Sequence, residues 1–334
     1  MHWLLHHYPV SSLGLVFAAA FLTQPGQPRA DHADAPYVLV LGIAQDGGVP
    51  QAGATPSSER ESDEFRRYVV SLAVIDPETG ARWMFEATPD FPAQLRALDR
   101  IAPARAAPSL QGIFLTHAHI GHYTGLMHLG HEAMGARGIP VYAMPKMAEF
   151  LRTKGPWSQL VRFENITLRL LEDGVPVQLN ERLSVTPLLV PHRQEYSEVV
   201  GYRIQGPEHA VLFIPDIDRW EAWDREGHRI EDVLAGVDVA YLDGTFFADR
   251  EVGGRDMSSF PHPFITTTME RLGTLPPDQR AKVRFIHLNH TNPALQASSP
   301  ARAAIARAGF RVAEESERVP LGKVGPALPD RGGG

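Results

Sequence analysis

Three histidines fall within six residues of the chain, at His117, His119 and His122, directly after the apolar segment 112–116. This segment is typical of a buried strand, and a turn that follows a strand can bring three imidazole rings to one point. Neutral imidazole nitrogens bind zinc and related divalent ions, and a catalytic site needs about three protein ligands with one position left open. The spacing therefore predicts a metal centre where this strand ends.

Further candidate ligands follow three other strand-like segments. His192, Asp216 and His287 each come directly after, or close behind, a run of aliphatic and aromatic residues. Side chains at the same end of several strands can meet in one cleft, which is what a metal site between sheets requires. The predicted metal ligands are His117, His119, His122, His192, Asp216 and His287.

The composition is that of a globular protein and excludes several kinds of site. The chain has 334 residues, of which 43% are apolar and 21% charged, with a formal net charge of −7. Because no long lysine or arginine cluster is present, we expect no nucleic-acid partner. Cysteine is absent, which excludes disulfides, a thiol nucleophile and cysteine-bound zinc or iron–sulfur clusters. Serine-nucleophile and P-loop signatures are absent as well.

The apolar patterns predict strands in the middle of the chain and helices around them. Strands are predicted over residues 37–43, 69–76, 82–86, 112–116, 140–143, 166–171, 183–190, 199–204, 210–214, 237–242 and 283–288. Helices are predicted over residues 91–98, 121–136, 147–153, 230–234, 263–272 and 300–308. Since no Gly/Ser linker divides the chain, we expect one domain in which helices cover sheets.

The N-terminal segment differs from the rest. Residues 13–22 form an apolar run too short to span a bilayer, which takes about 20 residues, but suited to the apolar core of a secretory signal. We therefore expect residues 1–30 to be a signal peptide or an anchor, residues 37–315 the folded domain, and residues 316–334 a tail. The expected location is periplasmic or secreted, with a membrane-anchored or cytoplasmic protein as the alternatives.

The order of these motifs resembles the metallo-β-lactamase-fold superfamily, which carries an HxHxDH segment, a later His, an Asp and a final His. Within it, the chain looks most like relatives of pyrroloquinoline quinone (PQQ) biosynthesis protein B, through residues 41–51, 116–126, 243–247 and 287–293. The resemblance covers residues 37–312. It implies an α/β fold of the αββα sandwich type, with two mixed sheets face to face, helices outside and metals at one edge.

The resemblance implies two metal sites, the first formed by His117, His119 and His192, the second by His122, Asp216 and His287. Asp216 is able to bridge the two. Gly121 stands where the superfamily usually has an aspartate ligand. We therefore expect a weaker second site or a single metal, and we expect Gly121→Asp to tighten the second site. Residues 52–55 also lack the cysteine cluster of the named biosynthetic proteins, which counts against a role in cytoplasmic cofactor assembly.

The predicted activity is metal-dependent hydrolysis of an ester, lactone, amide or phosphoester. The implied cofactor is Zn²⁺, one ion or two, with iron or manganese as alternatives, because such an ion lowers the pKa of a water to about 7. Asp216 would hold the nucleophile, and His262 or His290 would return a proton to the leaving group. The alternatives are an iron-dependent oxidative enzyme similar to the PQQ-biosynthesis protein, a non-enzymatic exported binding protein, and an inactive relative.

Other polar residues carry weaker predictions. Asp243, in an Asp-Gly-Thr turn, could orient a ligand histidine, and Asp46 could face the cleft from the Gly-rich loop after the first strand. His290 could also replace His287 as a ligand, and two equally tight metal sites would mean that Asp46 or His290 takes the ligand position that Gly121 leaves vacant. Glu195 and Tyr196 could line the pocket. We expect a small-molecule substrate and no stable protein partner, and we leave homodimer formation open.

Overall fold

The computed structural model describes residues 35–54, 65–105 and 108–323. The predicted signal peptide or anchor therefore lies outside the described residues. Within the described part, no helix is long and apolar enough to cross a membrane.

Fourteen strands and nine α-helices make up the described part of the chain. The strands are β1 (Tyr37–Gly42), β2 (Ser71–Asp76), β3 (Ala81–Phe85), β4 (Gly112–Phe114), β5 (Ile139–Ala143), β6 (Ile166–Leu170), β7 (Val177–Gln178), β8 (Ser184–Leu189), β9 (Val200–Gln205), β10 (Ala210–Ile214), β11 (Val239–Asp243), β12 (Val283–Ile286), β13 (Arg311–Val312) and β14 (Arg318–Pro320). The helices are α1 (Phe91–Ile101), α2 (Ile120–Tyr123), α3 (Pro145–Thr153), α4 (Trp157–Arg162), α5 (Trp220–Arg225), α6 (Ile230–Ala235), α7 (Ile265–Leu272), α8 (Pro277–Arg280) and α9 (Pro300–Arg307).

The strands form two mixed sheets of seven strands each. The first has the order β14-β1-β2-β3-β4-β5-β6, and the second has the order β13-β12-β11-β10-β9-β8-β7. In each sheet one part is antiparallel, and the remaining strands, β3 to β6 and β10 to β13, are parallel. Parallel strands place their carboxyl ends at a common edge, which is where ligand sites form in such sheets.

Alternate residues of the first sheet belong to two different cores, because successive side chains of a strand point to opposite faces. In β1, Val38 and Val40 join a cluster that includes residues of the second sheet, and Leu39 joins a cluster with α1, α3 and α4. Phe85 stacks on Phe114 with ring centroids 5.0 Å apart between the sheets. The αββα sandwich that the resemblance implies is confirmed.

Two contacts tie the second sheet to the start of the histidine motif. The Tyr202 hydroxyl of β9 donates a hydrogen bond to the Leu115 carbonyl, and the Val200 amide donates one of 3.2 Å to the Thr116 carbonyl. The segment that leads to His117 is therefore held by both sheets.

The single helix predicted over residues 121–136 is wrong. After α2, the chain forms a 3₁₀ helix over Thr124–Leu129 and then turns. A Cβ at Gly125 would lie 2.1 Å from the Thr88 carbonyl oxygen, and the Gly125 amide donates to the Ala87 carbonyl. Because the backbone at Gly125 packs this closely against the loop after β3, the segment does not continue as a regular helix. Gly135, with φ +53°, comes directly after the turn.

The folded domain extends beyond residue 315, into the segment expected to be a tail. β14 pairs antiparallel with β1, and Leu321, which follows it, is fully buried. Just before β14, the Glu315 carboxylate accepts a hydrogen bond of 2.6 Å from the Tyr68 amide. Residues 316–321 are therefore part of the first sheet and its core.

Glu315→Gln is expected to flatten the pH dependence of stability. Burial raises the pKa of Glu315 from 4.5 to about 7 in the folded protein. Between these values the folded protein keeps a proton that the unfolded chain releases, so the free energy of unfolding falls as the pH rises. The glutamine keeps the acceptor oxygen without titrating, so above pH 7 we expect the free energy of unfolding of the variant to exceed that of the wild type by about 2 kcal/mol. Urea unfolding at pH 5 to 8 measures the free energy of unfolding of both proteins. An equal change of this free energy with pH in the two proteins would contradict the prediction.

Candidate metal centre

Loops from both sheets bring the predicted ligands together at one edge of the sandwich. The histidine motif follows β4 of the first sheet, and the other ligands follow β8, β10 and β12 of the second sheet. Apart from His119, the predicted ligands are buried, with exposed fractions between 0% and 7%. A polar cluster at this depth needs partners of opposite charge or a bound ion.

A first group of potential ligands consists of His117, His119, His192 and Asp216, whose donor atoms all lie within 4.8 Å of one another. The Nε2 atoms of His117 and His192 lie 3.4 Å and 3.3 Å from the Asp216 carboxylate. Three imidazoles and one carboxylate are a donor set that zinc accepts in proteins. The structure thus brings together the three histidines predicted for the first site and adds Asp216.

A second group consists of Asp46, His122 and His287, again with donor atoms within 4.8 Å of one another. Asp46 Oδ1 lies 3.2 Å from His122 Nε2, and Asp216 Oδ2 lies 3.8 Å from the same nitrogen. Asp216 and His287 form a third group together with Asp243. Asp216 therefore lies between the two histidine sets, which is the position that the bridging role requires.

Five buried side-chain atoms at this edge have no hydrogen-bond partner among the described residues. They are Asp46 Oδ1, His122 Nε2, His192 Nε2, Asp216 Oδ1 and His287 Nε2. Leaving a buried polar atom unsatisfied costs about 1–3 kcal/mol. These atoms approach one another as ion pairs, at 3.2 Å between Asp46 Oδ1 and His122 Nε2 and 3.3 Å between His192 Nε2 and Asp216 Oδ1. Nitrogen and oxygen donors that converge in this way fit divalent cations, which would satisfy all of them.

Each ligand histidine has its second ring nitrogen held by another polar group. The contacts are His117 Nδ1 with Thr116 Oγ1 (2.8 Å), His119 Nε2 with Glu195 Oε2 (3.0 Å), His122 Nδ1 with Glu86 Oε1 (3.2 Å), His192 Nδ1 with Asp218 Oδ1 (2.9 Å) and His287 Nδ1 with Thr245 Oγ1 (2.9 Å). A nitrogen that binds metal carries no proton, so the other nitrogen must carry it and donate it to these acceptors. The surroundings therefore fix which nitrogen faces the cluster.

The charges of the cluster balance one another. Burial opposes the charge of His122, but the carboxylates of Glu86 and Asp46 outweigh it and hold the pKa of His122 well above its usual value. Burial lowers the pKa of His117, and His122 lowers it further. Burial opposes ionisation of Asp216, yet the surrounding histidines hold its pKa well below the usual range. Because a metal must displace protons from the histidines that hold them, its binding weakens as the pH falls.

Two residues other than glycine adopt left-handed backbone conformations at this edge. Glu86, which holds His122, has φ +74°, and the ligand His287 has φ +64°. Such conformations cost about 1–3 kcal/mol and persist where the surroundings enforce them, often at functional sites. Both residues directly follow a parallel strand, β3 and β12 respectively, and turn the chain into the cluster.

The remaining predicted residues lie at different distances from the cluster. His262 Nδ1 lies 2.9 Å from Asp243 Oδ2 and 3.2 Å from Asp216 Oδ1, so His262 and Asp243 adjoin the candidate ligands. His290 belongs to none of the three ligand groups found among the described residues. Its catalytic role and its role as a substitute ligand stay predictions.

Tyr196, predicted to line the pocket, is 62% exposed and packs its ring 5.5 Å from that of Phe150. Two histidines that follow the motif belong to none of the ligand groups found among the described residues. The His128 ring stacks on Phe91 at 6.4 Å, and the His131 ring lies 4.7 Å from that of Phe163. They lie in the 3₁₀ helix and in the turn after it.

Sequence reasoning named Glu195 beside the pocket but missed three other residues that hold candidate ligand histidines. Glu86, Asp218 and Thr245 come from three separate loops. Asp218 could have been predicted to lie near the site, because it comes two residues after Asp216. Glu86 could not, because it ends a segment that looks like an ordinary strand.

Asp218→Ala is expected to weaken zinc binding at the first site by about 10- to 100-fold, because His192 loses the group that fixes its ring and its tautomer. Competition with a chromophoric chelator measures the change. The matched control is Asp256→Ala, which removes a fully exposed aspartate. Equal zinc affinity in the two variants would show that Asp218 does not orient His192.

Comparison with known families agrees with this geometry. A family model described as the beta-lactamase superfamily domain matches residues 81–288, which include every predicted metal ligand. The chain belongs to the metallo-β-lactamase superfamily. The two mixed seven-stranded sheets are thus the superfamily's framework in this protein.

Within the superfamily, the chain is similar to PQQ-related proteins. It is 27% identical over 312 residues to the coenzyme PQQ synthesis protein B of Xanthomonas campestris, covering 85% of this chain and 99% of that protein. Its fold is similar to that of the Zn²⁺-bound PqqB of Methylobacterium extorquens, with a TM-score of 0.70 and 22% identity over 85% of this chain and all of the other. A diphosphatase of the PhnP family follows with a TM-score of 0.57 and 20% identity, covering 85% and 96%.

Proposed function

We propose that this protein is a metal-dependent hydrolase that uses one or two zinc ions at the edge of the sandwich. The observation that carries the proposal is the convergence at that edge of five buried nitrogen and oxygen atoms that make no hydrogen bond among the described residues. The superfamily assignment supports it, since a donor set of histidines and carboxylates is what metal-assisted hydrolysis needs. Iron and manganese suit the same donors and are tested alongside zinc.

The chain's own residues divide into binding and proton-holding groups. His117, His119 and His192 would hold the first ion, with Asp216 positioned to reach both sites. When bound, zinc supplies a water that ionises near neutral pH and a positive charge that polarises the substrate oxygen. Asp216 Oδ1 adjoins His192 and His262, makes no hydrogen bond among the described residues and would accept one from the attacking water.

His262 is the group best placed to hold a proton for the leaving group. Burial opposes its charge, but Asp243 and Asp216 outweigh that effect and raise the pKa of His262. Asp243 Oδ2 accepts from His262 Nδ1 at 2.9 Å, so the proton on Nδ1 stays in place while the imidazolium gives up the proton on Nε2. Asp243 is in turn fixed by the amide and hydroxyl of Thr245.

A recess beside His262 is the proposed place for the substrate. Its volume is about 380 Å³, and its walls include His262, Arg219, Trp220 and Phe264. The Arg219 guanidinium donates to the Ser258 carbonyl, and the carboxylates of Glu221 and Asp249 also line the recess, so its charge does not select an anionic substrate. Phosphoesters remain among the candidate substrates, which agrees with the similarity to a protein described as a diphosphatase.

The test is turnover by metal-loaded protein against four substrate classes. We expect hydrolysis of at least one of a phosphodiester, a carboxylic ester, a lactone and a β-lactam, and loss of turnover after chelation. An oxygen electrode run with iron-loaded protein separates an oxidative enzyme from a hydrolase. Full metal occupancy without turnover of any of the four would contradict the proposal.

A further inference from the structure

Gly121 is confined by the space around it rather than by its backbone angles. It lies inside α2 with no positive φ, so the conformation itself would accept any residue. A Cβ built at this position, however, would lie 2.1 Å from Asp46 Oδ1 and 2.5 Å from Asp46 Cα. The volume that a side chain at position 121 would need is already filled by Asp46.

The Asp46 oxygen that fills this space, Oδ1, faces the candidate metal centre. Asp46 Oδ1 is buried, lies 3.2 Å from His122 Nε2 and has no hydrogen-bond partner among the described residues. It also lies within 4.8 Å of the donor nitrogen of His287. The carboxylate oxygen thus adjoins the two histidines of the second site.

The loop that carries Asp46 is held in register with the His287 segment by main-chain hydrogen bonds. The Gln45 amide donates to the Leu288 carbonyl at 2.9 Å, and the Leu288 amide donates to the Ile43 carbonyl at 2.8 Å. The Gln45 side chain also accepts a hydrogen bond from Asn289. Because Asp46 and His287 adjoin the two sides of this pairing, main-chain hydrogen bonds fix the separation of the two residues.

We propose that Asp46 is the carboxylate ligand of the second metal site, in the place that the superfamily usually gives to an aspartate at position 121. The proposal rests on the proposed metal centre. An oxygen donor and its negative charge enter from the loop after β1, and Gly121 is the residue that leaves room for them. The second site then has two imidazoles, Asp46 and the shared Asp216, so nothing in its donor set makes it weaker than an ordinary second site.

This geometry reverses the expectation that Gly121→Asp would tighten the second site. The new Cβ would collide with the Asp46 main chain, which cannot rotate away as a flexible side chain could. Gly121→Asp alone should therefore weaken the site although it adds a ligand. Removing the Asp46 side chain at the same time relieves the contact with Oδ1 but leaves the 2.5 Å contact with the Asp46 Cα, so the double variant D46G/G121D should not recover binding.

The experiment is zinc titration of metal-free protein against a chromophoric chelator. We expect two equivalents in the wild type and a second equivalent about tenfold or more weaker in Asp46→Asn, G121A, G121D and D46G/G121D. Asp46→Asn keeps the side-chain shape, circular dichroism checks folding, and Asp256→Asn is the matched control.

Two outcomes would overturn the proposal. One is a second equivalent in Asp46→Asn that binds within about twofold of the wild type, and the other is a wild type that binds one zinc only. The readout is independent of turnover. A wild type that binds two zinc ions but hydrolyses nothing would contradict the proposed function and leave the assignment of Asp46 intact.

Discussion

Alanine at both His117 and His119 is expected to remove the metal ion from the first site. The two imidazoles supply two of its four candidate donors, and the remaining His192 and Asp216 cannot complete a tetrahedral set. Metal content after gel filtration, measured by inductively coupled plasma mass spectrometry, should fall by about one equivalent or more. Turnover should fall with it, because the proposed hydrolysis depends on this ion.

The chain offers a matched control for this double variant. His128→Ala with His131→Ala removes the same two side chains a few residues away, where they pack on the Phe91 and Phe163 rings. We expect this control to keep its full metal content. Retention of all metal by the H117A/H119A protein, with folding intact, would show that the site lies elsewhere.

Asp216→Asn is expected to weaken both metal equivalents, because the carboxylate adjoins both histidine sets. Its oxygens lie 3.4 Å from His117 Nε2, 3.3 Å from His192 Nε2 and 3.8 Å from His122 Nε2. Loss of a group that only orients a ligand already costs about 10- to 100-fold in affinity, so loss of a charged ligand should cost at least about 100-fold. Chelator competition measures both equivalents in one titration.

An exposed aspartate on a helix provides the comparison for Asp216. Asp278→Asn in α8 removes the same charge far from the ligand set and should leave both affinities unchanged. If Asp216→Asn weakened only one equivalent, the carboxylate would serve one ion and the bridging role would be wrong.

The sequence predicted the fold and the site best where a polar residue directly follows an apolar strand. Strand predictions such as 210–214 and 283–288 end close to the observed β10 and β12, because continuous apolar runs identify buried parallel strands. The candidate ligands could be found for the same reason, since each polar residue stands out after such a run. The short helices α4, α5 and α8 were missed, because four to six residues carry too little periodicity to show a pattern.

What could not be predicted depends on contacts between distant parts of the chain. The predicted helix over residues 121–136 fails because Gly125 packs on the Thr88 carbonyl, an approach that helical periodicity does not show. Asp46 could be named only alongside His290 as an alternative for the vacant ligand position, because its placement follows from backbone pairing with the segment after β12. Glu86 becomes visible only when the loop after β3 is placed beside His122.

The division of the ligands between the two sheets links the metal ions to the interior of the protein. His117, His119 and His122 follow a strand of the first sheet, whereas His192, Asp216 and His287 follow strands of the second. Protein cores are close-packed, so a change of even one methylene group between the sheets affects their packing. We therefore expect residues such as Phe114 and Tyr202 to influence the spacing of the candidate donor atoms, and with it metal affinity, without contacting an ion.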